Sequence, residues 1–234
     1  AKGGFESKVK FADRKQRWFT INFPSYSNVR NLYIGLQRDA RVGEGMKYRS
    51  PLPVVYYGSS ITQGACATRP GNAYQNIISR ELGLDFLNFG FSGNGRGEDA
   101  MIGYLAGLPM LAFVSDYDHN APGTAHLAVT HRRLYEAVRA AHPDIPYLMV
   151  TRTDDYSAYY ELRLDNRQAV LDNFRFARER GDRNVYYLDG GEIFRGPHED
   201  QCTVDGVHPT DIGFSLMADA IGCALRQALM KNSI

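Results

Sequence analysis

Cysteine is scarce in this chain, with three residues in 234. Cys66, Cys202 and Cys223 lie far apart in sequence, which excludes a disulfide framework and the CxxC or His-rich spacing of a zinc site. Reduced thiols and a cytoplasmic location are the expectation, alongside a secreted form from which a signal has been removed. Charge of one sign is also lacking: 27 Lys and Arg against 26 Asp and Glu leave a formal charge of +1. No broad field therefore draws in nucleic acid or an acidic membrane surface. No apolar run reaches the roughly 18–20 residues that span a bilayer. The first residues, Ala1 to Ser7, show no basic start, apolar core and small-residue cleavage site, so no signal peptide is visible. What is there is ordinary for a folded chain: 44% apolar and 23% charged residues, against intrinsic disorder.

Two regions differ in texture. Residues 1–50 read as strands and turns, with polar–apolar alternation at 8–11 and 17–23, an apolar run at 32–36 and a turn cluster from Pro24 to Asn28. Three short strands bury too little surface to stand alone. They are expected to be a partial β-rich accessory region that leans on the main body or pairs with another subunit, giving a homo-oligomer. Residues 51–234 alternate strand and helix. Strands are expected at 54–57, 85–89, 110–115, 147–151 and 185–188. Helices are expected at 73–82, 98–105, 125–141, 161–180 and 211–230. That alternation argues an α/β fold with a parallel sheet covered on both faces, where ligands bind beyond the carboxyl ends of the strands.

Four residue clusters fall at those ends. Gly58-Ser59-Ser60-Ile61-Thr62-Gln63-Gly64 follows the first strand, and Asn88 to Gly95 the second. Asp116-Tyr117-Asp118-His119-Asn120-Ala121-Pro122 follows the third, and Asp205-Gly206-Val207-His208-Pro209 precedes the last helix. Together they hold the parts of a serine hydrolase. A serine hydroxyl needs a neighbouring base to attack a carbonyl. Imidazole suits that task because it ordinarily titrates near neutral pH. A carboxylate must hold the ring in one tautomer, and N–H or amide donors must meet the oxyanion of the tetrahedral intermediate. Asp205 and His208, three residues apart at the entry to a helix, have suitable spacing for the carboxylate and the base. From the residues alone, either Ser59 or Ser60 could attack, and either Gly90 or Gly93 could donate.

The series Gly58-Ser59-Ser60-Ile61, Gly93, Asn120 and Asp205-x-x-His208 resembles the four blocks of the SGNH hydrolases, also called the GDSL esterase/lipase superfamily, over residues 51–234. Ser59 stands where the family signature has Asp, as in a subgroup with GSSITQG and DYDHNAP motifs and an N-terminal β-sandwich. The resemblance implies a flavodoxin-like five-stranded sheet of order 2-1-3-4-5. It implies Ser60, Asp205 and His208 as catalytic residues, and backbone Ser60, backbone Gly93 and the Asn120 side chain as oxyanion hole. It assigns Ser59 to backbone bonding in place of the missing Asp.

The remaining candidates carry less. His119 reads as a wall residue beside Asn120, and Asp116 with Asp118 lacks a third grouped ligand, so no metal is assigned. Gly95-Arg96-Gly97-Glu98-Asp99-Ala100 fits a dinucleotide fingerprint, but Glu98 and Asp99 would meet the pyrophosphate and the loop follows the wrong strand. No cofactor is expected. The expected substrate is a small acyl ester, an O-acetylated sugar by family resemblance, and the aromatic stretch 154–160 reads equally as a sugar-facing loop or a helix start. An acyltransferase with the same residues, or a carbohydrate-binding module on an inactive core, are the alternatives.

Overall fold

The computed structural model describes residues 5–153 and 160–231. Strands β1 (Val54–Gly58), β2 (Phe86–Gly90), β3 (Ala112–Asp116), β4 (Tyr147–Val150) and β5 (Val185–Leu188) form one sheet of order β2-β1-β3-β4-β5. Every pairing is parallel. Helices α1 (Ser60–Gln63), α2 (Tyr74–Leu82), α3 (Asp99–Ala106), α4 (Thr124–Ala141), α5 (Tyr160–Glu179) and α6 (Asp211–Lys231) connect and cover it. The expected α/β class, strand order and five strands are all present, with element ends moved by a residue or two. Helix α1 is an addition: a single turn too short to show periodicity.

Alternation along β1 divides the core in two. Val54 and Tyr56 face one layer with Ile78 and Leu82 of α2 and Phe214, Ile221 and Leu225 of α6. Val55 and Tyr57 face the other, with Leu105 of α3, Leu127 and Leu134 of α4 and Val170 of α5. Because helices cover both faces, β1 is buried at every position and reads as an unbroken apolar run. Helix α6 is long and apolar enough to cross a membrane by length and composition, and half of its most apolar stretch is buried in this fold.

Residues 5–50 differ from expectation. They contain no strand or helix, only bends and one turn. Trp18, Phe19 and Ile34 are 57%, 68% and 64% exposed. Alternation marks a chain that can form a strand, but a strand exists only when a neighbour takes its N–H and C=O groups. The turn cluster is real, with bends at 25–27.

The strand order places the site. After β1 the chain moves to β2 on one side, then crosses back to β3 on the other. The loops after β1 and β3 therefore diverge and open a crevice at their carboxyl ends.

Candidate active site

Helix α1 begins where β1 ends. Ser59 is its N-cap: the hydroxyl accepts from the Ile61 N–H at 3.1 Å, satisfying a helix-terminal donor as an Asp would. Gly64 closes the turn at φ 96°, a left-handed conformation that favours glycine. Gly58 is required by space, since a Cβ there would overlap Thr62 Oγ1 and the Asp116 carbonyl. The turn is thus pressed against β3, with Ser60 on its first residue and 8% exposed.

Ser60 Oγ lies 2.9 Å from His208 Nε2. On the far side of the ring, Nδ1 is 2.7 Å from Asp205 Oδ2. The other carboxylate oxygen, Oδ1, accepts from the backbone N–H of Val207 at 3.0 Å and of His208 at 2.7 Å. The Asp205–His208 loop is pinned at its base by a bridge between Thr203 and Pro209. Desolvation works against charge on Asp205, but hydrogen bonds from the His208 backbone and ring and from the Val207 N–H outweigh it, holding the carboxyl below its usual value. An ionised Asp205 fixes the proton on Nδ1 and leaves Nε2 as an acceptor toward Ser60 Oγ. Cys66 lies close enough to Asp205 to feel its charge, which adds to burial in raising the thiol above its usual value.

The two other expected donors lie on neighbouring loops. Gly93 adopts φ 71° at an exposed tip, with nothing within 4 Å of where a Cβ would stand. Gly90 is instead packed against the Gln63 backbone, where a Cβ would overlap it. Asn120 ends a short 3₁₀ turn (Asp118–Asn120), and its Oδ1 accepts from the Gly95 N–H at 3.4 Å. That contact assigns the oxygen end of the amide and leaves Nδ2 as the donor end. Gly95 itself passes so close to the Gly58 carbonyl that a side chain would collide with it.

The other candidates sort by partner. His126 and His142 hydrogen-bond to the Arg96 and Ala106 carbonyls. His131 is buried between Ser115 and Asn173. Asp116, Asp118 and His119 bring ligand-capable atoms within 4.8 Å of one another, a grouping that sequence spacing did not assign. However, Asp116 Oδ2 already accepts from Thr62 Oγ1 and the Tyr74 hydroxyl, each at 3.2 Å. Burial first, and the charge of Asp118 second, push the Asp116 carboxyl well above its usual value, toward the neutral acid. A carboxyl shifted in that direction, with one oxygen already taken by two donors, is less available to a cation. The aromatic stretch 154–160 lies outside the described residues except for Tyr160, the first residue of α5. Gln63, in sequence only a letter of the GSSITQG motif, bonds through its side chain to two separate loops.

Comparison with known proteins follows the same outline. The model of the GDSL-like Lipase/Acylhydrolase family matches residues 52–226. Among solved structures, a GDSL-like lipase from Bacteroides ovatus superposes with a TM-score of 0.74 at 30% identity, covering 83% of this chain. This chain spans 58% of that protein. A salicylyl-acyltransferase from a tetracycline biosynthetic pathway shares the fold at TM-score 0.64 and 22% identity, over 77% of this chain and 57% of that one. A family two carbohydrate esterase from Clostridium thermocellum does so at TM-score 0.62 and 16% identity, over 80% and 67%. No curated protein matches the chain.

Proposed function

Because the chain belongs to the GDSL-like lipase/acylhydrolase family, we propose that it is a serine esterase that removes small acyl groups, acetyl above all, from the hydroxyls of carbohydrates. The reading is carried by the unbroken series Ser60 Oγ, His208 Nε2, His208 Nδ1 and Asp205 Oδ2, with links of 2.9 and 2.7 Å. Ser60 Oγ attacks the ester carbonyl while Nε2 takes its proton. The carbonyl electrons move to oxygen, where the backbone N–H groups of Ser60 and Gly93 and the Asn120 amide receive them. The C–O bond then breaks, and the alcohol leaves with the proton from Nε2. Water, giving a proton to the same nitrogen, attacks the acyl-serine, and collapse releases the acid and restores the Ser60 hydroxyl.

An acyltransferase would use the same side chains with a bound alcohol in place of water. The His208 and Asp205 side chains are 29% and 50% exposed, open to water and to an alcohol alike. The carbohydrate part of the proposal is supported by the fold shared with the carbohydrate esterase. Acid release from p-nitrophenyl acetate and from a panel of acetylated sugars, with wild type beside Ser60→Ala, tests it. Full activity in Ser60→Ala would discard the mechanism. Activity on the aryl ester alone, with none on any sugar, would discard the substrate class.

A further inference from the structure

We infer that Gln63 is a positioning residue for the oxyanion hole, coupling the loop that carries Gly93 to the helix that carries Ser60 and to the N-terminal segment. Gln63 is the last residue of α1 and half-buried. Its Oε1 accepts from the Ser92 N–H at 2.9 Å, and its Nε2 donates to the Ser25 carbonyl at 3.0 Å. The partners leave no choice of amide orientation, since one can only donate and the other can only accept. Ser92 precedes Gly93, whose φ is 71° and where an added Cβ would meet nothing within 4 Å. Within the tip itself the Asn94 amide donates to the Ser92 carbonyl at 3.1 Å, and Gln63 ties that tip to the body. A donor aimed at an oxyanion must be held in place before the charge forms. Gln63 is the side chain that reaches this loop from the nucleophile's own helix.

The Ser25 end of the link gives a task to a turn that the catalytic reading left unused. The Pro24-to-Asn28 cluster lies against α1 at three points. Ser25 accepts from Gln63, its Oγ lies 3.1 Å from where a Gly64 Cβ would stand, and the Tyr26 hydroxyl reaches the Ser60 carbonyl at 3.4 Å. The left-handed Gly64 therefore serves both the helix end and the seat of this turn. The N-terminal segment, lacking strands, still braces the catalytic helix.

The inference rests on the esterase reading, and its experiment separates the two. In the full chain, Gln63→Met keeps length and volume but loses both hydrogen bonds, and Gln63→Asn keeps the amide but is one methylene too short to span the gap. Losing an oxyanion donor outright costs roughly 10²–10³ in kcat; loosening one is expected to cost about tenfold. For p-nitrophenyl acetate, Gln63→Met should lower kcat by that factor with KM within twofold. Affinity for phenylboronic acid, which forms a tetrahedral adduct on the serine, should weaken by the same factor. Gln63→Asn should shift kcat and boronate affinity in the same direction by less. Unchanged kcat in the folded Gln63→Met protein, or a rise confined to KM, overturns the inference; if that variant does not fold, the same results in Gln63→Asn do so. Retained activity in Ser60→Ala would instead remove the esterase reading itself.

Discussion

His131 links three elements at once. Its Nε2 lies 3.2 Å from Ser115 Oγ on β3, its Nδ1 is 2.6 Å from Asn173 Nδ2 on α5, and the ring itself belongs to α4. The Tyr117 ring is stacked on it at 5.6 Å and 18°. The side chain is 2% exposed, and burial pushes its pKa from 6.5 down to about 3. Only the neutral ring fits, because Nδ1 must accept from the Asn173 amide. The unfolded chain therefore binds a proton between pH 6.5 and 3 that the folded chain refuses, and stability falls as pH drops through that window. At 1.36 kcal/mol per pH unit, His131 removes about 2 kcal/mol between pH 7 and pH 5. Asp116 acts with the opposite sign: its raised pKa makes the folded state take up a proton first, so acid favours folding there. The absolute trend sums such terms, and the difference between wild type and His131→Gln isolates this one. Urea unfolding at pH 7 and pH 5 should show a drop in stability larger by about 2 kcal/mol in wild type than in the variant, even though the variant is the less stable at pH 7. Equal pH dependence in the two proteins would refute the argument.

Three further outcomes are expected. Asn120→Ala should lower kcat by roughly 10²–10³ with little change in KM; steady-state kinetics on p-nitrophenyl acetate decide it, and an effect confined to KM would remove Asn120 from the oxyanion hole. Gly58→Ala forces a methyl group into Thr62 Oγ1 and the Asp116 carbonyl, and should cost about 3 kcal/mol in urea unfolding; a variant of wild-type stability would mean that α1 and β3 do not close tightly around the end of β1. EDTA should leave esterase activity unchanged, because the Asp205–His208–Ser60 series needs no cation and Asp116 is engaged by Thr62 and Tyr74; inhibition reversed by a divalent ion would reopen the Asp116–Asp118–His119 group.

Much of this molecule is local, and so legible in the chain. Repeating strand and helix periods marked out β1 to β5 and α2 to α6, because a fully buried strand is an apolar run and a half-buried helix shows its 3.6-residue period without reference to neighbours. Asp205 with His208 at three-residue spacing is likewise a short-range arrangement, whereas the single turn of α1, capped by Ser59 and closed by Gly64, is local but too short for its period to show in the chain. The strands expected in residues 5–50 failed for the complementary reason: alternation records a capacity to pair, and pairing needs a partner that local pattern does not name.

What only the tertiary structure decided are the meetings between residues far apart in the chain. The 148-residue step from Ser60 to His208 closes to 2.9 Å because the sheet order carries the ends of β1 and β3 and the loop before α6 to one rim. The placing of Gly93 rather than Gly90 at an open loop tip, the upward shift of the buried Asp116 carboxyl, and the span of Gln63 from Ser92 to Ser25 depend on which groups pack within a hydrogen bond's length. Residue type determines what a group can donate, accept or titrate; the packed fold determines which group it faces and how much water remains between them.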